Sequence, residues 1–222
     1  MKRTLFKTGD GSFTLQIPEW NEQYHSKHGA VAEALHVFIK EGFQYYTTYH
    51  NLDEISILEI GFGTGLNCFL TFLKNKNNPV QIKYTGVEAF PLDLKEVQPL
   101  NFPSLLKASD EPFFKMHNIP WEEQISIDTH FQLTKLERKF SEINNENEFD
   151  LIYFDAFGIR VQPELWTEEI FKLMYLALRP EGVLVTYAAN GSARRAMIAV
   201  GFEVERIPGP PGKREMMRAY KR

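Results

Sequence analysis

The sequence predicts an α/β fold in which helices cover both faces of a mostly parallel sheet. From residue 55 onward, short apolar segments typical of buried strands alternate with amphipathic segments typical of helices, which favours βαβ units. The chain then closes with two strand-like segments around the turn 208–212, which predicts an antiparallel hairpin at one edge of the sheet. The length of 222 residues suits one such domain with a small extension.

The alternating part of the chain provides the elements of this sheet. Seven strands are predicted, with one of them reversed, at residues 55–60, 81–88, 125–131, 149–155, 183–187, 202–207 and 215–220. Helical segments are predicted at residues 64–73, after Pro91, at 164–178 and at 192–200.

The first 50 residues form a different pattern. Residues 5–7 and 13–17 flank the polar turn 8–12 and predict a β-hairpin, which Pro18 ends. A helix is predicted over residues 30–46, with one apolar face made of Val31, Ala34, Leu35, Phe38 and Ile39. We therefore expect an N-terminal hairpin and helix extension, residues 1–50, packed on a main domain of residues 51–222.

Composition excludes several classes of protein. Hydrophobic residues make up 43% and charged residues 24% of the chain, and no apolar run is long enough to cross a bilayer. The basic start of the chain is followed by no apolar signal core, so we expect a cytoplasmic protein with no membrane partner. The single cysteine, Cys68, rules out an internal disulfide, and no histidine pair has metal-binding spacing, so no metal is predicted.

Charge is unevenly distributed. The net charge of −4 and the pI of about 5.9 are a poor match to a nucleic-acid-binding protein as a whole. Between residues 194 and 222, however, there are eight lysines or arginines and only three acids. This basic tail is either a local phosphate-binding patch or a solvated surface.

A glycine-rich loop follows the first strand of the main sheet. Gly61, Gly63 and Gly65 let the backbone turn sharply and approach a ligand, next to the N–H groups at the start of the following helix. A Gly-x-Gly-x-x-Gly loop would suit a dinucleotide pyrophosphate, but the spacing here is Gly-x-Gly-x-Gly, with Glu59 before it. This arrangement resembles the loop of methyltransferases, whose ligand carries an amino-acid tail instead of a pyrophosphate.

Two acids follow other strands. Glu88 ends the second strand, where its carboxylate can accept hydrogen bonds from the two hydroxyls of a ribose. Asp155 ends the fourth strand, and ligands of open α/β sheets bind beyond the carboxyl ends of the strands. Together with the glycine loop and the closing hairpin, these acids favour the Rossmann-like class I methyltransferase fold over a nucleotide-dependent oxidoreductase, whose fold lacks that hairpin.

The motifs in combination resemble those of the tRNA 5-(aminomethyl)-2-thiouridine methyltransferases, which occur alone (MnmD) or as one half of the bifunctional MnmC protein. The resemblance covers nearly the whole chain in the family's order. The matching residues are Tyr24-His25-Ser26, Gly29-Ala30, Glu33, Gly61-Phe62-Gly63-Thr64-Gly65-Leu66-Asn67, Glu88-Ala89-Phe90-Pro91-Leu92, Phe154-Asp155-Ala156-Phe157, Pro163-Glu164-Leu165-Trp166 and Lys213-Arg214-Glu215-Met216.

The resemblance implies S-adenosylmethionine as the methyl donor and the aminomethyl group of a tRNA wobble uridine as the acceptor. Asp155 would lie near the methyl group and the incoming amine. The residues implied in cofactor binding are Tyr24, Ser26, Glu33, Glu59, Gly61, Phe62, Gly63, Thr64, Gly65, Asn67, Glu88, Ala89, Phe90 and Asp155. The candidate substrate or tRNA contacts are Phe157, Trp166, Arg194, Arg195, Lys213 and Arg214, although Phe157 and Trp166 could equally pack in the core.

The sequence departs from the family pattern in two respects. The family commonly has a Gly-Asp pair after the third strand, where this chain has Phe131-Gln132-Leu133, so Gln132 is a candidate substitute as adenine partner. The chain also ends at Arg222 without a flavin domain, so we expect no flavin cofactor and a separate enzyme that supplies the aminomethyl uridine.

The chemistry that the resemblance implies needs a neutral amine, whereas a primary alkylamine with a pKa of ~10 is protonated at neutral pH. An ordinary aspartate with a pKa of ~3.9 is a weak base, so we expect Asp155 to position the amine unless it is strongly buried. A small-molecule methyltransferase and a non-catalytic module that retains the fold remain as alternative functions.

Overall fold

The computed structural model describes residues 2–50 and 52–222. The strands are β1 (Thr4–Lys7), β2 (Phe13–Ile17), β3 (Glu22–Gln23), β4 (Glu54–Ile60), β5 (Gln81–Glu88), β6 (Gln124–Asp128), β7 (Phe131–Glu137), β8 (Phe149–Phe154), β9 (Leu178–Thr186), β10 (Glu203–Pro208) and β11 (Glu215–Tyr220). The α-helices are α1 (Ala30–Ala34), α2 (Tyr45–Tyr49), α3 (Leu66–Asn75), α4 (Leu94–Val97), α5 (Phe102–Leu105), α6 (Glu111–Asn118), α7 (Glu168–Ala177) and α8 (Gly191–Ala199).

The main sheet has the order β10-β11-β9-β8-β4-β5-β7-β6. Strands β4, β5, β7, β8 and β9 run parallel, and β11 is antiparallel to both β9 and β10. The α/β fold with a C-terminal antiparallel hairpin is therefore confirmed. The sheet contains eight strands, one more than the seven predicted, because β6 pairs antiparallel with β7 at the far edge.

The extra strand arises from the region predicted as one strand over residues 125–131. The structure divides it into β6 and β7, joined by the two-residue turn Thr129-His130, so the prediction of a single strand is wrong. A two-residue turn keeps the parity of the side chains, so the alternation of Ile125, Ile127, Phe131 and Leu133 continues through the reversal of direction. The parallel strand of this pair is β7, which ends at Glu137.

The predicted N-terminal hairpin is confirmed as β1 and β2, with β3 added as a third strand. The predicted helix continues to Tyr49, three residues beyond its predicted end, and its middle part is a π-helical segment (Leu35–Gln44) between α1 and α2. The wider π turns direct Val37, Phe38 and Phe43 inward and leave Leu35 42% exposed, so its predicted place on the buried face is wrong. Phe38 packs against Tyr153 of β8, which seats this helix on the main sheet. The division at residue 50 stays a prediction.

The apolar core lies on both faces of the sheet. One cluster joins the N-terminal helix, α3 and α6 to one face, and the other joins α7 and α8 to the opposite face. The helix predicted over 164–178 is interrupted, since a 3₁₀ turn (Pro163–Trp166) precedes α7 and Thr167 is extended. Among the described residues, no helix has the length and apolar character needed to cross a membrane.

Candidate active site

A cavity of about 630 Å³ lies at the carboxyl ends of β4, β5 and β8, beneath the loop that contains β3. This is the edge of the sheet where ligands of open α/β folds bind. Its volume is in the range of ordinary small-molecule sites. Most of the predicted cofactor residues line it: Tyr24, Ser26, Glu33, Gly61, Phe62, Gly63, Thr64, Asn67, Glu88, Ala89, Phe90 and Asp155.

The glycine loop forms the floor of this cavity. The backbone N–H groups of Gly61 and Phe62 both donate to the carbonyl of Val87 at 3.0 Å, which ties the loop to β5. Gly61 has φ +89°, and a Cβ there would lie 2.7 Å from the carbonyl oxygen of Asp155. The glycine is thus required by both its backbone angle and its contact with the strand that carries Asp155. Gly65, which was also predicted to contact the cofactor, is the N-cap residue of α3 and does not line the cavity.

Two half-buried histidines contact the loop at Thr64. His117 of α6 donates from Nε2 to the Thr64 carbonyl at 3.1 Å, and His25 Nε2 lies 3.4 Å from the Thr64 hydroxyl. Burial lowers the pKa of each histidine to about 4, so both rings are neutral at pH 7. The contribution of His117 was not predicted, because nothing in its local sequence marks a residue that reaches the loop 53 positions away.

Glu88 stands at the end of β5 as predicted. Its Oε2 accepts from Gly63 N at 3.0 Å and its Oε1 accepts from Phe90 N at 2.9 Å. These two bonds fix the carboxylate in the cavity wall, and each oxygen retains a lone pair. The carboxylate is therefore preorganised to accept hydrogen bonds from a diol.

Asn67 joins two carboxylates at the base of the cavity. Its Nδ2 donates to Glu59 Oε1 and to Asp155 Oδ2, both at 2.9 Å. Glu59 is completely buried, accepts a second bond from the Tyr84 hydroxyl at 2.8 Å and does not line the cavity. Burial raises the pKa of Glu59 well above its usual range. The expectation that Glu59 touches the cofactor is wrong, because Asn67 stands between it and the cavity.

Asp155 is half-buried in the cavity wall, directly after β8. Desolvation raises its pKa to about 7, with a further upward effect from Glu33, while the hydrogen bond from Asn67 and the charge of Lys213 act in the opposite direction. A carboxylate with this pKa can exchange a proton near neutral pH, unlike an ordinary aspartate.

The N-terminal segment that contains Tyr24, Ser26 and Glu33, here called the lid, borders the cavity. Glu33 of α1 accepts from Ser26 N at 2.7 Å and from Lys213 Nζ at 2.6 Å. Lys213 precedes β11, and its Nζ lies 3.9 Å from the centroid of the Tyr187 ring. This ion pair connects two chain segments 180 residues apart and places a cation beside Asp155.

The predicted aromatic contacts differ in their positions. Phe157 lines the cavity and makes edge contacts with Trp20 and Tyr24. Trp166 is only 3% exposed, packs on Phe154, and donates from Nε1 to the Phe157 carbonyl at 2.8 Å. This burial favours core packing, one of the two roles that the sequence left open for Trp166.

The prediction that Gln132 contacts the adenine is not supported by its position. It lies near the start of β7, paired with Lys83, so it is at the opposite end of the sheet from the cavity. The error follows from the missed turn between β6 and β7. The residues that follow the true end of β7 and line the cavity are Lys139, Phe140 and Ser141.

A shallower depression of about 510 Å³ adjoins the cavity and shares Glu22, Tyr187 and Lys213 with it. Arg214 is exposed and lines this depression, while Arg194 and Arg195 lie on α8 and line neither. Arg160 also lines it, paired with Glu22 at 2.5 Å, and was not predicted because a single arginine in a loop has no recognisable pattern.

The charges around the main cavity favour a cationic ligand. Acidic side chains outnumber basic ones, since Glu22, Glu33, Glu88, Asp155 and Glu164 face only Lys139 and Lys213. Within residues 2–50 and 52–222, the His, Cys, Asp and Glu side chains form no group of three or more arranged to hold a metal ion.

Residues 103–222, more than half of the chain, match the family described as S-adenosyl-L-methionine-dependent methyltransferase. The chain belongs to this family. The methyltransferase is 26% identical to an uncharacterized protein of Methanocaldococcus jannaschii over 99% of this chain and 60% of that protein. It is 27% identical to the tRNA 5-methylaminomethyl-2-thiouridine biosynthesis bifunctional protein MnmC of Hydrogenovibrio crunogenus, over 89% of this chain and 31% of MnmC.

A solved structure extends these similarities to the fold. The crystal structure of MnmC2 from Aquifex aeolicus superposes with a TM-score of 0.78 and 26% identity, covering 100% of this chain and 70% of the other. These findings confirm the resemblance based on the motifs and the class I methyltransferase fold. The methyltransferase nevertheless spans under two thirds of the M. jannaschii protein and about a third of MnmC.

The residues present fit S-adenosylmethionine. Gly61 and Gly63 line the cavity floor, where a Cβ would meet the Asp155 carbonyl oxygen and the Tyr24 ring, so the backbone itself is open to a ligand. The Oδ1 atom of Asn67 is buried in the cavity wall and has no hydrogen-bond partner among the described residues. An unpaired buried acceptor at this place suits the ammonium of the donor's methionine end.

Proposed function

We propose that this methyltransferase transfers a methyl group from S-adenosylmethionine to the amine of 5-aminomethyl-(2-thio)uridine at the wobble position of tRNA, giving the 5-methylaminomethyl form. The observation that carries the proposal is Asp155, a half-buried carboxylate beside the glycine loop whose pKa is raised to about 7. The names of the MnmC and MnmC2 relatives, which align with nearly the whole chain, support this acceptor.

The donor supplies a methyl group already activated on a sulfonium. Gly61, Gly63 and Asn67 would hold its methionine end, and Glu88 would hold its ribose. The chain's main contribution is then alignment of the acceptor, which can be worth about 7–11 kcal/mol.

The acceptor amine has to lose a proton before it can attack. The Asp155 carboxylate would take that proton from the ammonium, leaving a lone pair on nitrogen for the new N–C bond as the C–S bond breaks. Because its pKa is about 7, Asp155 is a far better proton acceptor than an ordinary aspartate. The raised pKa supports general-base catalysis by Asp155 in place of the positioning role expected from the sequence.

The acceptor side of the cavity can admit a splayed base. Phe157 presents a ring at the cavity wall, and base stacking on aromatic side chains is a common mode of RNA recognition. Contacts to tRNA phosphates would come from arginines outside the cavity. Arg214 lines the adjoining depression, and Arg194 and Arg195 lie on α8. The aminomethyl group would be made beforehand by a separate enzyme.

The test incubates the protein with methyl-labelled S-adenosylmethionine and tRNA that lacks the wobble methyl group, followed by digestion and identification of the labelled nucleoside. Label is expected in 5-methylaminomethyl-(2-thio)uridine. Asp155→Asn should reduce turnover by about 100-fold or more while S-adenosylmethionine still binds. Asp128→Asn, which changes an exposed acid outside the cavity, serves as the matched control.

Two results would contradict the proposal. Absence of label in the tRNA would favour a small-molecule acceptor or a non-catalytic module. Near-normal turnover of Asp155→Asn would remove Asp155 from the chemistry even if the tRNA were labelled.

A further inference from the structure

The orientation of the Asn67 amide is dictated by its neighbours. One terminal atom of the side chain lies 2.9 Å from Glu59 Oε1 and 2.9 Å from Asp155 Oδ2. When Asp155 is ionised its Oδ2 can only accept, so the atom facing it is the nitrogen, whose second hydrogen reaches Glu59 Oε1. The oxygen, Oδ1, therefore points away from both acids.

Glu59 and Tyr84 hold the amide in this orientation. Glu59 has no exposed surface, and its second oxygen accepts from the Tyr84 hydroxyl at 2.8 Å. Asn67 itself is 2% exposed and sits in the first turn of α3, whose backbone is continuous with the glycine loop. Rotation of the amide would place its oxygen against the ionised Asp155 carboxylate, and this repulsion disfavours the opposite orientation.

The remaining atom, Oδ1, is buried and has no hydrogen-bond partner among the described residues, yet Asn67 lines the cavity. Buried acceptors are normally paired, so an unpaired one in a cavity wall indicates a place for a donor group of a ligand. The α-ammonium of S-adenosylmethionine is such a group, and it belongs to the end of the cofactor that the glycine loop would hold.

We propose that Asn67 couples the two halves of the active site: its Oδ1 accepts a hydrogen bond from the α-ammonium of the donor, while its Nδ2 keeps Asp155 ionised and oriented toward the acceptor. Glu59 and Tyr84 are positioning residues that act through Asn67. The part that concerns the acceptor rests on the proposed function, whereas the part that concerns the donor needs only the family.

The charged groups around Asp155 define the expected pH effect. Glu33 of α1 favours its protonated form, Lys213 before β11 favours its ionised form, and Asn67 stabilises the ionised form by hydrogen bonding. Glu59 of β4 and Tyr187 after β9 also face it. Loss of the Asn67 bond should therefore move the Asp155 titration to higher pH.

The test compares two ligands that differ in the amino-acid end. S-adenosylhomocysteine has the α-ammonium, and 5′-methylthioadenosine lacks the whole amino-acid end. Calorimetry on Asn67→Ala should show S-adenosylhomocysteine binding weakened by about tenfold or more, as for loss of a charge-assisted hydrogen bond, with 5′-methylthioadenosine changed less than about twofold. Carbon-detected NMR should show the Asp155 carboxyl titrating at higher pH in the same variant. Neither measurement uses tRNA, so failure here is distinct from failure of the proposed function.

Asn75→Ala is a matched control. Asn75 lies on the same helix, is equally buried and also has an unpaired Oδ1, but its Nδ2 bonds to Val80 and it does not line the cavity. It should lower stability without changing the preference between the two ligands. If Asn67→Ala does not fold, Asn67→Ser replaces it, because its shorter side chain reaches neither carboxylate.

Glu59→Gln tests the positioning role. Its amide can accept from Asn67 with one atom and face Tyr84 with the other, so it should retain the ligand preference, whereas Glu59→Leu should lose it. The proposal is overturned if Asn67→Ala weakens both ligands equally, weakens neither, or leaves the Asp155 titration unchanged.

Discussion

The part of the cavity proposed to hold the donor (the donor half) and the part proposed to hold the acceptor (the acceptor half) are built in different ways. The donor half consists of one continuous loop and the ends of adjacent strands, held by backbone hydrogen bonds and by side chains such as the buried Glu59 and the half-buried His117. The acceptor half, together with the adjoining depression, is assembled from side chains of distant segments, such as Lys213 and Arg160. We infer that the fold itself recognises the donor, while exchangeable side chains select the acceptor.

The largest effect is expected at the glycine loop. Gly61→Ala places a side chain at φ +89° with its Cβ 2.7 Å from the Asp155 carbonyl. The backbone angle alone should cost about 1–2 kcal/mol, and relief of the contact with β8 about 1–3 kcal/mol more. Urea denaturation should show this loss of stability, and calorimetry should show that S-adenosylhomocysteine binding falls by about 100-fold, because the loop and Asp155 move together.

Gly11→Ala separates the two causes. Gly11 has φ +87°, but a Cβ there would meet nothing within 4 Å. It should show only the cost of the backbone angle and should bind S-adenosylhomocysteine normally. Equal destabilisation of the two variants would mean that the contact between the loop and β8 contributes nothing.

The contrast between regular strands and long-range side-chain contacts also explains which features the sequence could predict. The strands and helices of the main sheet have strong apolar periodicity, so β4, β5 and β8 and the closing hairpin were placed almost to the residue. The prediction failed at residues 125–131, where a two-residue turn left the alternation intact, and along the π-helical segment, where the repeat is no longer 3.6 residues.

The site follows the same rule. Residues that follow a strand directly, such as Glu88 and Asp155, are placed by the topology, so they could be predicted. Gln132 was lost with the missed turn, and the role of Trp166 was left open because burial depends on packing that a local pattern does not contain. His117 reaches the site only through tertiary structure and is outside what a motif can predict.

An intermediate effect is expected at Lys213. Its charge favours the ionised form of Asp155, so Lys213→Met should raise the Asp155 pKa above its value of about 7. Methyl transfer needs ionised Asp155, and the acid limb of the pH–rate profile should therefore move to higher pH. At pH 7 turnover should fall about three- to tenfold, and the loss should shrink as the pH rises. Steady-state rates between pH 6 and 9 measure the shift.

Lys213→Arg keeps the charge and should keep the midpoint of the profile close to that of the unaltered protein. Binding of S-adenosylhomocysteine should be unchanged in both variants, which distinguishes Lys213 from Asn67, where ligand binding and Asp155 titration change together. A uniform loss of rate at every pH in Lys213→Met would show that Lys213 acts through the geometry of the lid and not through its charge.

The smallest effect is expected at the rim of the acceptor half. Arg160 is paired with Glu22 at the surface, with 65% of its side chain exposed, and such pairs contribute only about 0–1 kcal/mol to stability. If a tRNA phosphate occupies the adjoining depression, Arg160→Ala should weaken tRNA binding about two- to fivefold and reduce the salt dependence by about one ion. Glu22→Gln should strengthen tRNA binding, since it frees Arg160 from its carboxylate partner. Filter-binding titrations at two or more salt concentrations measure both effects. We expect Arg160 to contact only the acceptor tRNA. Weaker S-adenosylhomocysteine binding or tighter tRNA binding by Arg160→Ala would contradict this.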